Sequence, residues 1–398
     1  MQSQQTLQRN LRLLRILRGL SFAWFPIPTL MLFYQSNGLT IAQGLQLKTI
    51  LALSTLLFEI PSGYLADICG RRRSLLLGGS IWLISLGLYC QGQSFAEFAI
   101  AEILAGLAGS LISGTESALA FDTLTNLNAE SRYTGFEGQL VAIAGFTEAV
   151  CGLLGAGIAS INLRAPFYCQ VVCIALYALL TLGLIEPPRS KPTAPFRQSV
   201  AKILKIVHYA LIQTPRLRWT IALSATFSSA TFLIVWTGQA YLQAQNFAIA
   251  DFGIIWAILH GVMSLGSLGS IVIARRWGLG FSLSFAVTTL SLCFLGLSLI
   301  QAAWGVMFIA GIYAIRGFRA PLTLTLINQQ VSANIRATVL SISNFTFQAG
   351  FILIGPLTGF LIATYSLSMA LGAVACIVFT AGSIFLRHLY RLGAFSSN

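Results

Sequence analysis

The stretch Gly63-Tyr-Leu-Ala-Asp67-Ile-Cys-Gly70-Arg71-Arg72-Arg73 sets one acid and three arginines on a short segment between two long apolar runs. A soluble domain has little use for that arrangement. A chain that crosses a bilayer twice needs a tight turn with its positive charges held on the cytoplasmic side. Outward from this segment the apolar material continues in blocks of about 20 residues, the length a helix rising roughly 1.5 Å per residue needs to cross hydrocarbon. Of the 398 residues, 56% are hydrophobic and 9% charged, whereas soluble domains carry roughly a quarter charged residues.

These blocks predict an all-α membrane protein with twelve spans, near 14–35, 43–66, 75–92, 98–121, 138–160, 166–185, 219–242, 252–274, 282–301, 303–327, 338–363 and 366–386. Counting loops from a cytoplasmic N-terminus, all of the 24 Lys and Arg except Lys48, Arg164, Arg316 and Arg319 fall near the inner face. That bias accounts for the formal charge of +13 without nucleic acid, and an even number of spans leaves both termini in the cytoplasm. Arg9, Arg12, Arg15 and Arg18 are then expected among anionic headgroups. Residues 7–35 begin basic and continue apolar like a secretory leader, but the apolar run is too long for one and no small-residue cleavage site follows; they read as a retained first span. The seven cysteines are scattered through apolar sequence and read as small buried hydrophobes.

Composition changes at Glu186-Pro-Pro-Arg-Ser-Lys-Pro. The expected organisation is a six-span half at 1–186, a cytoplasmic linker at 187–217 and a second six-span half at 218–398. Within the linker, Val200, Ile203, Leu204, Ile206, Val207 and Leu211 recur at helical spacing, as in a helix lying on a membrane surface or, the favoured reading, a plain amphipathic linker helix. The halves echo each other: Ser113-Gly-Thr-Glu116 through Asp122 and Arg132 align with Arg316-Gly-Phe-Arg319 and Arg336. The glycines at 145, 152, 155 and 157 align with Gly350, Gly355, Pro356 and Gly359. Two related bundles around a midplane cavity form a transporter architecture.

Placed between spans two and three, the opening segment resembles the signature G-x-L-x-D-(R/K)-x-G-(R/K)-(R/K) of the major facilitator superfamily. Gly63, Leu65, Asp67, Gly70, Arg71 and Arg72 match, and Ile68 replaces the usual base. The resemblance implies two pseudo-symmetric six-helix bundles and a monomer in the plasma (inner) membrane that moves a small molecule by alternating access, without a cofactor. It also implies a cytoplasmic gate in which Asp67 meets the start of span eleven, near 334–338, and the arginines meet Asp122. The alternative role for the segment is a plain topological anchor. The second half keeps only Gly269-Ser-Ile-Val-Ile-Ala-Arg275-Arg276, with no acid. Similarity to bacterial drug exporters points to proton-coupled efflux, although the Gly-Pro motif of family antiporters is absent from span five and appears at Gly355-Pro356 in span eleven.

A charged group at the bilayer centre costs at least about 2.5–3.5 kcal/mol, so Glu59, Glu102, Glu116 and Glu148 are proton-coupling candidates, with Glu148 the leading one. Glu59 belongs either to the gate or to a proton path, and Glu116 occupies the repeat position of Arg319. Glu102 stands where the resemblance leads one to expect an arginine. Arg316 needs an acid, water or an anionic substrate beside it. Trp24, Tyr34, Trp236, Gln239, Arg316, Asn344 and Gln348 complete the substrate-cavity candidates, and His260 either titrates or is a neutral hydrogen-bonded histidine. An integral-membrane enzyme is a disfavoured alternative of another class: the aspartates at 67, 122 and 251 are far apart, so no paired-acid metal site for a prenyl-type or phosphoryl transferase is evident. No G-x-x-x-x-G-K-(S/T) loop is present for ATP. The alternatives to efflux are proton symport or facilitated uptake of an anionic metabolite and, in another class, a non-transporting membrane sensor.

Overall fold

A computed structural model of the chain describes residues 4–188 and 204–395. Among these residues the structure is helical, without strands. The helices are α1 (Gln4–Ser21), α2 (Leu30–Ser36), α3 (Ile41–Cys69), α4 (Arg71–Gln91), α5 (Phe95–Asn126), α6 (Tyr133–Ala159), α7 (Ala165–Thr181), α8 (Pro215–Ala244), α9 (Ile249–Leu299), α10 (Val306–Asn328), α11 (Ala333–Thr364) and α12 (Leu367–Arg391). Among the described residues, eight helices are long and apolar enough to cross a membrane.

Helix boundaries follow local chemistry. The expected first span is broken between α1 and α2, where Pro26 and Pro28 occupy the turn and lack N–H donors. Ser94 caps α5 by accepting from the Glu97 N–H while Glu97 accepts from the Ser94 N–H, a capping box. Helix α9 spans two expected crossings and is interrupted at Gly278, whose φ of 81° suits a residue without Cβ.

The chain gathers into two compact units. The first comprises 1–39, 50–195 and 248–257; the second comprises 40–49, 196–247 and 258–398. The first ten residues of the 40–69 region thus group with the second unit.

In the first unit α4 packs along α5. Leu14 and Leu17 of α1 meet Leu75, Ile112, Leu119, Leu140 and Tyr177 in one buried cluster. Serine hydroxyls bind the spans together: Ser54 donates to the Ile103 carbonyl at 2.7 Å, Ser62 to Ser110 at 3.0 Å and Ser85 to Ala101 at 2.8 Å. Such bonds substitute for the hydrophobic drive that lipid does not supply. In the second unit α8 is the central, deeply buried helix, with α10, α11 and α12 against it. The described end of the linker helix packs its apolar face within the second unit. Ile206, Val207, Ala210 and Leu211 pack against Ile327, Val331, Val339 and Ile342 rather than presenting an unpartnered apolar face; Val200 and Ile203 lie outside the described residues.

Large side chains in mid-helix point outward, such as Phe146 at 72% and Leu353 at 75% exposure. Water would penalise that surface, whereas acyl chains solvate it.

Candidate gate and transport site

The segment from Gly63 to Arg73 is built by a helix end and a helix start. Gly70, at φ 106° and ψ 145°, turns the chain between α3 and α4, a conformation that L side chains rarely adopt. Arg71 donates from Nε to Asp122 Oδ2 at 2.7 Å, and its Nη2 lies 3.5 Å from Asp67 across the turn. Arg71 therefore sits between two acids, and Asp122 is brought to it from α5 as expected. Arg72 Nη2 donates to the Leu182 carbonyl at 2.7 Å. Gly63 serves no close approach, since a Cβ there meets nothing within 4 Å. The other expected partner of Asp67, at 334–338, lies in the second unit.

The motif has a member that the sequence reading missed. Glu186 accepts the Arg71 N–H at 2.8 Å on Oε1 and the Arg72 N–H at 2.9 Å on Oε2. A helix start leaves its first N–H groups without intrahelical acceptors, and a carboxylate there also answers the positive end of the helix dipole. The available signal was Glu186 as the last acid before Pro187.

Two membrane carboxylates form built clusters. Glu102 on α5 is 1% exposed, and one of its oxygens accepts from Tyr34 at 2.6 Å and Tyr89 at 2.5 Å. The two hydroxyls lie 3.0 Å apart, inside a box of Phe33, Phe98 and Phe167. Tyr34 therefore directs its hydroxyl to Glu102. Glu116 is fully buried, 3.3 Å from Arg18 Nε, with Tyr177 donating at 3.0 Å. The repeat position had suggested Arg319 for Glu116; Arg18, expected among headgroups, is an ion-pair partner. Glu59 and Glu148 are half-buried on α3 and α6, and the Glu148 carbonyl accepts from Trp256 Nε1 at 3.4 Å.

Trp24 sits in the break between α1 and α2, stacked on Phe22 at 5.1 Å. Helix α6 approaches that break through glycine: a Cβ at Gly155 collides with the Phe25 carbonyl, and one at Gly152 with Trp256 and Pro28. In transporters, irregular backbone at membrane depth is tolerated where it is enclosed by protein or lines a cavity.

In the second unit Trp236 is buried on α8, its ring 5.0 Å from Lys48 Nζ. Lys48, which loop counting had placed outside, is 3% exposed and lies within α3. Gln239 is buried and donates to the Val235 carbonyl at 2.9 Å. On α10, Arg316 lies over the Tyr313 ring at 5.7 Å. On α11, Asn344 is exposed and Gln348 half-buried. Among the described residues, no group of three or more His, Cys, Asp or Glu is placed to hold a metal ion.

Apolar helices long enough to cross a membrane, carboxylates buried among them and an ion-paired turn between α3 and α4 define a multi-span helical membrane protein. The model of the Major Facilitator Superfamily matches residues 16–335, and the chain belongs to that family. It is 26% identical over 368 residues, 90% of each chain, to the MFS-type transporter YxaM of Bacillus subtilis. It is 24% identical over 193 residues to the quinolone resistance protein NorA of Staphylococcus aureus, a match spanning 48% of each chain. The chain thus spans about half the length of the NorA proteins it matches. Among solved structures, the nucleoside transporter NupG superposes with a TM-score of 0.77 at 17% identity over 97% of this chain and 99% of that one. The D-xylose-proton symporter gives 0.71 at 15% over 94% and 96%. These likenesses show the fold.

Proposed function

We propose that this chain is a twelve-span secondary active transporter of the plasma membrane, with both termini cytoplasmic, that exports a small amphipathic molecule in exchange for protons. Its halves are 1–186 and 218–398, joined by the linker at 187–217. The observation that carries the reading is the pair of buried carboxylate clusters in the first unit, Glu102 with Tyr34 and Tyr89, and Glu116 with Arg18 and Tyr177. Carboxylates at such depth are costly unless they do work, and taking up a proton removes the charge while leaving a hydrogen-bonding group. Glu102 and Glu116 are the leading proton carriers, with Glu148 and Glu59 also on the path. Gly63, Asp67, Gly70, Arg71, Arg72 and Asp122 act as the cytoplasmic latch. Trp24, Trp236, Gln239, Arg316, Asn344 and Gln348 face the substrate in this scheme, and Tyr34 acts through Glu102. Export is supported by the similarity to a quinolone resistance protein.

A second reading, proton-driven uptake of an anionic metabolite, is favoured by Arg316 within a span. Reconstituted vesicles decide between them. With a quinolone as probe, an imposed pH gradient drives accumulation on the acidic side if exchange operates. Glu102→Gln is expected to retain counterflow and lose the response to the gradient. Transport indifferent to the gradient in the wild type, with Glu102→Gln and Glu148→Gln unchanged, overturns proton coupling.

A further inference from the structure

The charges of the two units are unequal. The second unit contains no Asp or Glu, while in the first the Lys and Arg are matched in number by the acids, so the whole formal charge of +13 resides in the second unit. Most of those cations lie in the linker and at helix ends. Arg316 and Arg319 do not: they stand one turn apart in the middle of α10, both half-buried. Residues three apart share a helix face.

Their setting is built. Helix α10 is held backbone to backbone against the first arm of α9, where a Cβ on Gly317 meets the Met263 carbonyl and one on Gly266 meets the Ala314 carbonyl. This contact fixes the rotation of α10. Tyr313, 1% exposed, lies under the Arg316 guanidinium, and His260 from α9 faces the same ring at 6.1 Å. Arg316 and Arg319 are thus like charges on one face of α10. Their own unit contains no carboxylate to pair with either guanidinium, and Arg319 Nε is buried without a hydrogen-bond partner. Two guanidiniums one turn apart, with no acid in their unit, store repulsion that an arriving anion relieves.

We propose that the transported molecule carries a carboxylate or phosphate oxyanion, and that Arg316 and Arg319 together grip it. The planar guanidinium fork matches two oxygens at once, which an ammonium does not. Tyr313 and His260 supply the aromatic wall beside the anion, and Trp236 with Lys48 forms a second aromatic-cation pair in the same unit. This inference rests on the transporter reading and gives it a substrate class.

The test uses the full chain in detergent and matched probes: benzoate against benzamide, phenyl phosphate against phenol, and inorganic phosphate alone. The anionic member of each pair is expected to raise the thermal midpoint, with the neutral member inert. Arg316→Gln and Arg319→Gln are each expected to weaken the anion by at least about tenfold, Arg316→Lys by less, and the exposed-end control Arg275→Gln not at all. Without probe, both glutamine variants should unfold at or above the wild-type midpoint, because they remove an uncompensated buried charge. Neutral probes binding as well as anions, anion binding that survives the double variant, or glutamine variants that are destabilised without probe each overturn the proposal. A wild type that exchanges no solute in vesicles while still binding anions would instead overturn the transport reading.

Discussion

At the scale of single residues, Glu186 and Arg71 show how one polar side chain sets a local structure. Replacing Glu186 by Gln keeps the shape but weakens two charge-assisted bonds to the start of α4. We expect a loss of about 1–2 kcal/mol in thermal unfolding in detergent. Asp67→Asn or Arg71→Ala should insert normally and slow transport if these groups form the proposed latch; normal transport by both would reduce the segment to an anchor. The signature residues were legible because Gly70, Arg71 and Asp122 each have a chemistry tied to a turn or an ion pair. Glu186, Arg18, Tyr89 and Tyr177 were not. Their partners lie 13 to 115 positions away, as with Tyr89 to Glu102 and Arg71 to Glu186, and sequence spacing carries no information about such contacts.

At the scale of helices, glycine decides what can touch. Gly155 allows α6 to reach the Phe25 carbonyl, while Gly157 on the same helix has open space around its Cβ position. Gly155→Ala is therefore expected to cost roughly 1–3 kcal/mol by overpacking, and Gly157→Ala to be neutral or slightly stabilising; equal effects in thermal unfolding would contradict the packing described. The apolar blocks gave the helices within a few residues, because span length is dictated by hydrocarbon thickness. The separation of 252–274 from 282–301 corresponds to the break at Gly278. The interruption of the first span was missed, although Pro26 and Pro28 carried the signal. The linker helix was readable as amphipathic, but periodicity identifies an apolar face and not what covers it, here Ile327 and Val339.

At the scale of the molecule, topology is testable with residues already in place. Cys69 is exposed beside the latch, and Ile161, 89% exposed, follows α6. With the other cysteines replaced, a membrane-impermeant maleimide should label Cys69 only in inverted vesicles and an Ile161→Cys variant only in right-side-out ones. The reverse pattern would invert the proposed orientation and with it the cytoplasmic placement of the latch.

The bond between Glu186 and the start of α4 also bears on how the chain is made. Arg71 leaves the ribosome 115 residues before its backbone partner, so the first turn of α4 has no carboxylate cap until α7 has been synthesised. Domains generally mature as units during synthesis, and contacts distant in sequence form late. Glu186 accordingly ties the end of the sixth apolar block back to the turn at Gly70, immediately before the proline-rich stretch begins. A nascent chain arrested before residue 186 should then remain protease-sensitive near Gly70, and one arrested after the linker should be protected there.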